Sequence, residues 1–332
     1  MQHARARLAV CLGAFALTAG AFTGLAQVAP QGQGQTPSPF PLSNPIRERG
    51  SSVTGAYEGW FRAKDGGSYF LVGYFNRNTK QELDIPIGPN NRIEPGGPDQ
   101  GQPTHFLPSR QWGVFAIKIP NDLGTKKLTW TLVANGQTNT ITLHTIKEWV
   151  VEPFEDPASK NTPPVIKFDS DGAGFTGPPI GVAAKLTATA SEPLALTAWI
   201  SDEPAKLNVG NALLVAPGDA PAVDAAPDGA AAAPARGVGA VTGRGRGTAG
   251  GRANLVTATW SMFRGPAAVT FDNPKPSVDR ANNGKTAATA TFSAPGEYVL
   301  RLQANDASGE GGGGFQCCWT NVHVAVSVKP AK

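Results

Sequence analysis

Short segments of alternating apolar and polar residues, ended by glycine, proline or asparagine, constrain this chain more than any other feature. Successive side chains of an extended strand point to opposite faces, so the alternation gives each segment one apolar face. Such segments recur at residues 113–119, 127–133, 140–144, 288–292 and 321–328. Glycine (40 residues) and proline (29) are frequent in the 332 residues, which favours turns over long helices. The pattern predicts an all-β protein made of two β-sandwiches in tandem.

Two connections can be predicted in the first sandwich. An apolar run at 69–75 precedes an alternating segment at 82–87, and we expect residues 76–80 to join them as a hairpin. Asn135-Gly136 lies between two later segments and accommodates the positive φ angles of a tight hairpin turn. Residues 88–108 are rich in proline and glycine and are predicted to form one long loop.

The N-terminus has the organisation of a secretory signal peptide. Arg5 and Arg7 precede an uncharged stretch at 8–26, and Gly24 and Ala26 are small residues at the −3 and −1 positions of a cleavage site. This predicts a mature protein that is secreted or periplasmic and has no membrane span. An uncleaved membrane anchor is the alternative, because the stretch approaches the roughly 20 residues that span a bilayer.

The charge distribution argues against a nucleic-acid partner. The chain has 29 basic and 25 acidic side chains and a net charge of +4, without the clustered basic face that nucleic acids require. The partner is expected to be an extracellular protein or a polysaccharide.

Composition changes divide the chain into segments. A tract of Ala, Gly, Pro and Arg cannot bury enough apolar surface to fold and is predicted to be an insertion in a surface loop. The predicted order is signal peptide 1–26, disordered tether 27–50, N-terminal β-sandwich 51–155, linker 156–164, and a second sandwich 165–330 with the insertion at 204–252.

The second sandwich carries residues typical of immunoglobulin-like domains. Tyr298 stands two residues before Leu300, the spacing that antibody domains use between a corner tyrosine and a disulfide cysteine. The matching residues are Trp260, Gly265-Pro266, 269–271, 292–296, 298–300 and 304–306. Over 165–330 the chain thus resembles the PKD and cadherin-like domains of bacterial surface proteins. No Gly-Asp-Gly follows the tryptophan, and with leucine at 300 no inter-sheet disulfide is expected. The resemblance implies a fold and not a ligand, and the expected architecture is two immunoglobulin-like β-sandwiches in tandem.

Cys317-Cys318 is the sharpest chemical feature. The predicted mature chain has no other cysteine, so an intrachain disulfide would join these neighbours. Consecutive Cα atoms lie about 3.8 Å apart, below the usual disulfide range, so such a ring is strained and reducible. It would rigidify its loop or act as a redox-sensitive contact. Two reduced thiols on opposite strand faces, or an intermolecular disulfide through Cys317, are the alternatives.

Catalytic and metal sites receive little support. Asp169-Ser-Asp-Gly172 begins like a calcium loop, but later ligand positions are Ala173 and Ile180. Asn283–Thr286 resembles the end of a P-loop, yet Asp279 stands where glycine is needed. We therefore expect no cofactor and no metal. His105 in the long loop is the one histidine placed for chemistry, while His144 and His323 are expected to be solvent-facing or satisfied on strands.

Aromatic residues are the remaining candidates for a ligand surface, with His105. They concentrate in the first sandwich, and Trp60, Tyr74 and Trp112 are the side chains considered for a sugar-binding platform. Core packing is the alternative for each. The run 69–75 is apolar on both faces, so one face needs a cover: a helix, a loop or a ligand.

These features favour a non-catalytic extracytoplasmic module for binding, adhesion or envelope scaffolding. A secreted hydrolase of polymers with a site near His105 is the first alternative. A redox-sensitive module that uses Cys317 and Cys318 is the second.

Overall fold

The computed structural model describes residues 47–157, 160–202, 256–306 and 318–332. The predicted signal peptide, most of the tether, the insertion and Cys317 lie outside these residues. Within the described ranges, no helix has the length and apolar character needed to cross a membrane. These ranges consist of β-strands, connecting segments and two short 3-10 turns, at Lys147–Trp149 and Arg280–Asn282. The predicted all-β class is confirmed.

Eight strands form the first half of the described chain, which we call the N-terminal sandwich. They are β1 (Val53–Arg62), β2 (Ser68–Asn76), β3 (Leu83–Asp84), β4 (Asn91–Glu94), β5 (His105–Phe106), β6 (Ser109–Lys118), β7 (Leu128–Ala134) and β8 (Gln137–Leu143). They pair as β1-β2-β6, β4-β7-β8 and the small sheet β3-β5. The two larger sheets enclose a core that includes Phe70, Val72, Phe115, Trp130 and Leu132.

The apolar run 69–75 lies in β2 and is buried on both faces. Phe70 and Val72 point into the core of the N-terminal sandwich. Tyr69 and Leu71 point the other way, into a second cluster that Trp319 covers from the far end of the chain. The second face of this run is thus covered by other parts of the same protein, Trp319 of the last strand together with Val151 and Phe154.

Of the two hairpins predicted in the N-terminal sandwich, one is present and one is not. The hairpin at Asn135-Gly136 is confirmed, with φ angles of 48° and 73° between β7 and β8. The hairpin at 76–80 is wrong, because β2 pairs with β1 and β6 whereas β3 pairs with β5. Asn76 and Asn78 are fully buried, and Asn76 Nδ2 donates to the Phe106 carbonyl at 3.0 Å, so these asparagines anchor the segment.

The predicted single loop at 88–108 is also incorrect. It contains β4 and β5, which pair with β7 and β3. Buried side chains organise it, since Asn91 Nδ2 donates to the carbonyls of Ile85 and Pro103 at 2.9 and 2.7 Å. A proline- and glycine-rich composition therefore accompanies ordered structure here.

Eight further strands form the C-terminal sandwich. They are β9 (Val165–Lys167), β10 (Ala184–Thr189), β11 (Pro193–Ser201), β12 (Thr257–Arg264), β13 (Val269–Phe271), β14 (Lys285–Phe292), β15 (Gly296–Asn305) and β16 (Trp319–Lys329). Two four-stranded sheets, β10-β16-β15-β12 and β13-β14-β11-β9, pack face to face. Trp260, Leu300 and Leu302 lie in the core with the even-numbered valines 322–328 of β16.

A tyrosine corner closes one end of this sandwich. Tyr298 is buried, and its hydroxyl donates to the carbonyl of Ala294, four residues upstream, at 2.8 Å. Leu300, at the position of the antibody cysteine, is fully buried in the core. The sequence expectation for this corner agrees with the geometry.

The outer face of β16 contacts the N-terminal sandwich. Trp319, Asn321 and His323 alternate with the core valines and point towards β6. Asn321 Nδ2 donates to the Gly113 carbonyl at 3.0 Å, and His323 Nε2 lies 3.1 Å from the Val114 carbonyl. His323 is therefore satisfied and buried, one of the two outcomes expected for it. The sheet containing β12, β15 and β16 is covered on both faces.

Candidate ligand-binding groove

Two clefts lie along β12, the edge strand of its sheet, where it faces the N-terminal sandwich. The first, which we call the His105 cleft, has a volume of about 730 Å³. Its two sides are held together by a backbone hydrogen bond from Thr104 N to the Phe263 carbonyl at 3.1 Å. Arg264 adds an ion pair to Asp99 at 2.8 Å. A volume of this size is typical of a small-molecule pocket.

One side of the His105 cleft is acidic. Strands β3 and β5 pair Asp84 with His105, which places the imidazole between two carboxylates. His105 Nδ1 lies 2.8 Å from Asp84 Oδ1, and its Nε2 lies 3.2 Å from Glu82 Oε2. The imidazole is buried, but the carboxylate side chains are 56% exposed for Glu82 and 71% for Asp84. The histidine thus fixes two acceptors that remain open to a ligand.

The opposite side of the His105 cleft is mainly apolar. It is formed by β12, β13 and the turn between them, with Met262, Pro266, Val269 and Phe271. Ser261 also lines the cleft and is 6% exposed, and its Oγ has no hydrogen-bond partner within the described structure. A buried hydroxyl without a partner is costly and suits a ligand atom or a water molecule.

The second cleft, which we call the Arg301 cleft, has a volume of about 760 Å³. Leu107 and Thr259 line both clefts, so the clefts adjoin along β12, and we call the two together the groove. Basic and amide side chains line the second cleft: Arg110, Lys275, Arg280, Arg301, Gln303 and Asn305. The groove is therefore acidic at one end and basic at the other.

The polar floor of the Arg301 cleft follows from strand alternation. Arg301, Gln303 and Asn305 point outward from β15, because Leu300 and Leu302 point into the core. Register pairs Thr259 of β12 with Gln303, and Thr257 with Asn305. These residues were not predicted from the sequence, although polar side chains at alternate positions of otherwise apolar strands were a usable signal.

Trp112 is held at the rim of the Arg301 cleft by a buried acid. Glu58 accepts from Arg110 Nη2 at 2.7 Å and from the Gly113 N–H at 2.8 Å. The Arg110 guanidinium stacks on the Trp112 ring, 3.9 Å from its centroid. Burial raises the pKa of Glu58 to about 7, although Arg110 and the Gly113 N–H each lower it in part.

The predicted site residues are distributed unevenly. His105 lies in the first cleft, on strand β5 instead of an open loop, and Trp112 lies in the second. Tyr74 is 1% exposed and its hydroxyl accepts from the Leu107 N–H at 2.8 Å, so its ring is not part of an exposed surface. Trp60 is half-buried, donates to the Ile146 carbonyl at 2.9 Å and lines neither cleft.

The cysteine pair lies at the edge of what the structure describes. Cys318 is buried and disulfide-bonded. Both other cysteines of the chain, Cys11 and Cys317, lie outside the described residues, so the vicinal disulfide stays a prediction. No group of three or more His, Cys, Asp or Glu side chains within the described ranges is arranged to hold a metal ion.

Comparison with known proteins gives weak likenesses of fold. No family model and no curated protein sequence matches the chain. Among solved structures, the D00-D0 domain of intimin is similar at 11% identity and a TM-score of 0.22, over 82% of this chain and 98% of that one. Domains 1–6 of the surface layer protein SbsC match at 10% identity and a TM-score of 0.22, over 85% of this chain and 28% of that one. Titin Ig tandem domains A164-A165 match at 8% identity and a TM-score of 0.20, over 85% of this chain and 100% of that one.

These likenesses carry no argument about function, because the identities are far below 25% and the TM-scores far below 0.5. They include immunoglobulin-like domains, but the closer assignment to PKD or cadherin-like domains stays a prediction.

Proposed function

We propose that this protein is an exported, non-catalytic binding module that holds a polysaccharide in the groove along β12. The observation that carries the proposal is the His105 cleft, where Glu82 and Asp84 face an apolar side across a pocket-sized space. Export rests on the predicted signal peptide.

The two sides of the cleft suit the two kinds of surface on a sugar ring. Ionised carboxylates are acceptors, and Glu82 and Asp84 would take hydrogen bonds from sugar hydroxyls. Phe271, Val269 and Pro266 would pack against the C–H face of the ring. The groove continues past Leu107 and Thr259 into the second cleft, which suits a linear polymer longer than one residue.

The arrangement of His105 disfavours a hydrolase. A general base needs a ring nitrogen that faces the substrate or the nucleophile. Both nitrogens of His105 instead face carboxylate oxygens, at 2.8 Å for Asp84 and 3.2 Å for Glu82. The histidine therefore acts as a positioning residue for the two acids.

A glycan array with the chain from Gln27 onward tests the proposal, followed by calorimetric titration of the best glycan. We expect the double variant Glu82→Gln/Asp84→Asn to weaken binding by about tenfold or more, since each neutral amide accepts more weakly than a carboxylate. Glu192→Gln is the matched control, because Glu192 is exposed and lines neither cleft.

Three results would contradict the proposal. Absence of any bound glycan would exclude a polysaccharide and favour a protein partner. Unchanged affinity in the double variant would move the site elsewhere. Release of new reducing ends from a polysaccharide, abolished by His105→Ala, would establish the hydrolase.

A further inference from the structure

The guanidinium of Arg301 is buried without a counter-ion among the described residues. The residue is 3% exposed, Nη2 donates to Gln111 Oε1 at 2.7 Å, and Nε has no hydrogen-bond partner in the described structure. None of the ion pairs among the described residues involves Arg301. Burying a charge is expensive unless it is paired, and the described residues provide no anion for this one.

Neighbouring groups do not supply that anion. Tyr74 lies near Arg301, but burial raises its pKa to about 12, so its phenol stays neutral at physiological pH. Glu58 already pairs with Arg110 at 2.7 Å. Arg301 therefore depends on a group that comes from outside the described residues.

The rim of the Arg301 cleft adds positive charge. Lys275 and Arg280 line it, are exposed, and form no ion pair with a described carboxylate. No Asp or Glu is among the described residues that line this cleft. Like charges around one concave site concentrate anions in it.

The remaining lining indicates what carries the anion. Gln303 and Asn305 provide amides, Thr257 and Thr259 provide hydroxyls, and Asn305 Oδ1 is buried with no hydrogen-bond partner in the described part of the chain. Such groups pair with hydroxyls as well as with an oxyanion. A volume of about 760 Å³ also exceeds what one inorganic oxyanion would fill.

We propose that the Arg301 cleft is an oxyanion site that takes the carboxylate of an acidic sugar residue. The planar guanidinium would bind the carboxylate from its free edge, Lys275 and Arg280 would attract it, and the amides would bind ring hydroxyls. This inference rests on the proposed polysaccharide function and names its substrate class as an acidic polysaccharide.

Calorimetric titration with trigalacturonate, its fully methyl-esterified form and inorganic sulfate tests the site. We expect trigalacturonate to bind the wild type. Its ester should bind at least about tenfold more weakly, because esterification removes the charge. Arg301→Met should weaken binding of the acid by a similar factor. Lys275→Gln/Arg280→Gln should weaken it less and flatten its salt dependence.

Lys329→Gln is the control, since Lys329 is exposed and lines neither cleft. If circular dichroism shows that Arg301→Met does not fold, the Lys275→Gln/Arg280→Gln variant tests the site instead. Its two positions are exposed, so the substitutions should leave the fold intact. Equal binding of acid and ester, or unchanged affinity in the variants that fold, would overturn the site. Sulfate that binds through Arg301 as tightly as the acid would overturn the assignment to a sugar.

The two proposals fail in different ways. Polysaccharide binding that depends on Glu82 and Asp84 but not on Arg301 would remove the anion site and keep the proposed function. Sulfate binding through Arg301 with no glycan bound at all would remove the proposed function.

Discussion

The indole ring of Trp319, on the last strand, lies directly against the backbone of Gly113 in the N-terminal sandwich. A Cβ atom added to Gly113 would overlap the six-membered ring of that indole. Gly113 also has a φ of 51°, a conformation that side chains disfavour. The contact joins residues 206 positions apart and requires glycine at 113 for two separate reasons.

Gly113→Ala is therefore expected to lower the free energy of unfolding by about 2 kcal/mol or more, through overpacking and backbone strain. Urea denaturation measures the change. Gly124→Ala is the matched control, because Gly124 has a φ of 55° and nothing lies within 4 Å of an added Cβ. Equal losses in the two variants would show that the Trp319 contact contributes nothing.

Glu58 is expected to make stability fall as pH rises. Its folded pKa of about 7 exceeds the ordinary value of 4.5, so between these pH values the folded state keeps a proton that the unfolded state loses. The wild type should lose up to about 3 kcal/mol relative to Glu58→Gln from pH 4.5 to 7.5. Denaturation curves that give the same change in the free energy of unfolding for both proteins between the two pH values would refute this.

His323 should have the opposite effect. Burial lowers its pKa to about 3, so the unfolded state binds a proton below pH 6.5 that the folded state does not. Stability is then lost as pH falls from 6.5 towards 3. In the wild type this slope opposes that of Glu58 between pH 4.5 and 6.5. His323→Gln should unmask the Glu58 slope, and an unaltered pH profile in that variant would contradict the assignment.

Arg301→Met is expected to stabilise the protein without ligand by about 1 kcal/mol or more, since it keeps the volume and removes a buried charge that no described carboxylate pairs with. Thermal unfolding in low-phosphate, low-sulfate buffer measures this. Arg110→Met serves as contrast, because it leaves Glu58 buried without its partner and should destabilise. A lower stability of Arg301→Met would mean that its bond to Gln111 outweighs the cost of burial.

Local patterning predicted most strands, because alternation and turn chemistry act over a few residues. The Asn135-Gly136 hairpin and the Tyr298 corner were visible for that reason. The pairing of β3 with β5 was not, because it joins residues 21 positions apart, Asp84 and His105, and depends on Asn76 and Asn91 bonding to the carbonyls of Phe106 and Pro103.

The candidate groove was predicted only in part for the same reason. His105 and Trp112 were identified by residue type. The clustering of His105 with Glu82 and Asp84 depends on register, and the burial of Arg301 depends on which sheet face the N-terminal sandwich covers. No local sequence signal specifies how one sandwich docks on another.

The position of Trp319 in the chain affects how the protein matures. Phe61 and Leu71 are synthesised early, but Trp319, which covers them together with Val151 and Phe154, is synthesised much later. A polypeptide that stops short of β16 leaves part of this apolar sheet face uncovered. Synthesis of β16 thus completes the cover of this face, and premature termination near residue 318 should yield an aggregation-prone product instead of a shorter functional one.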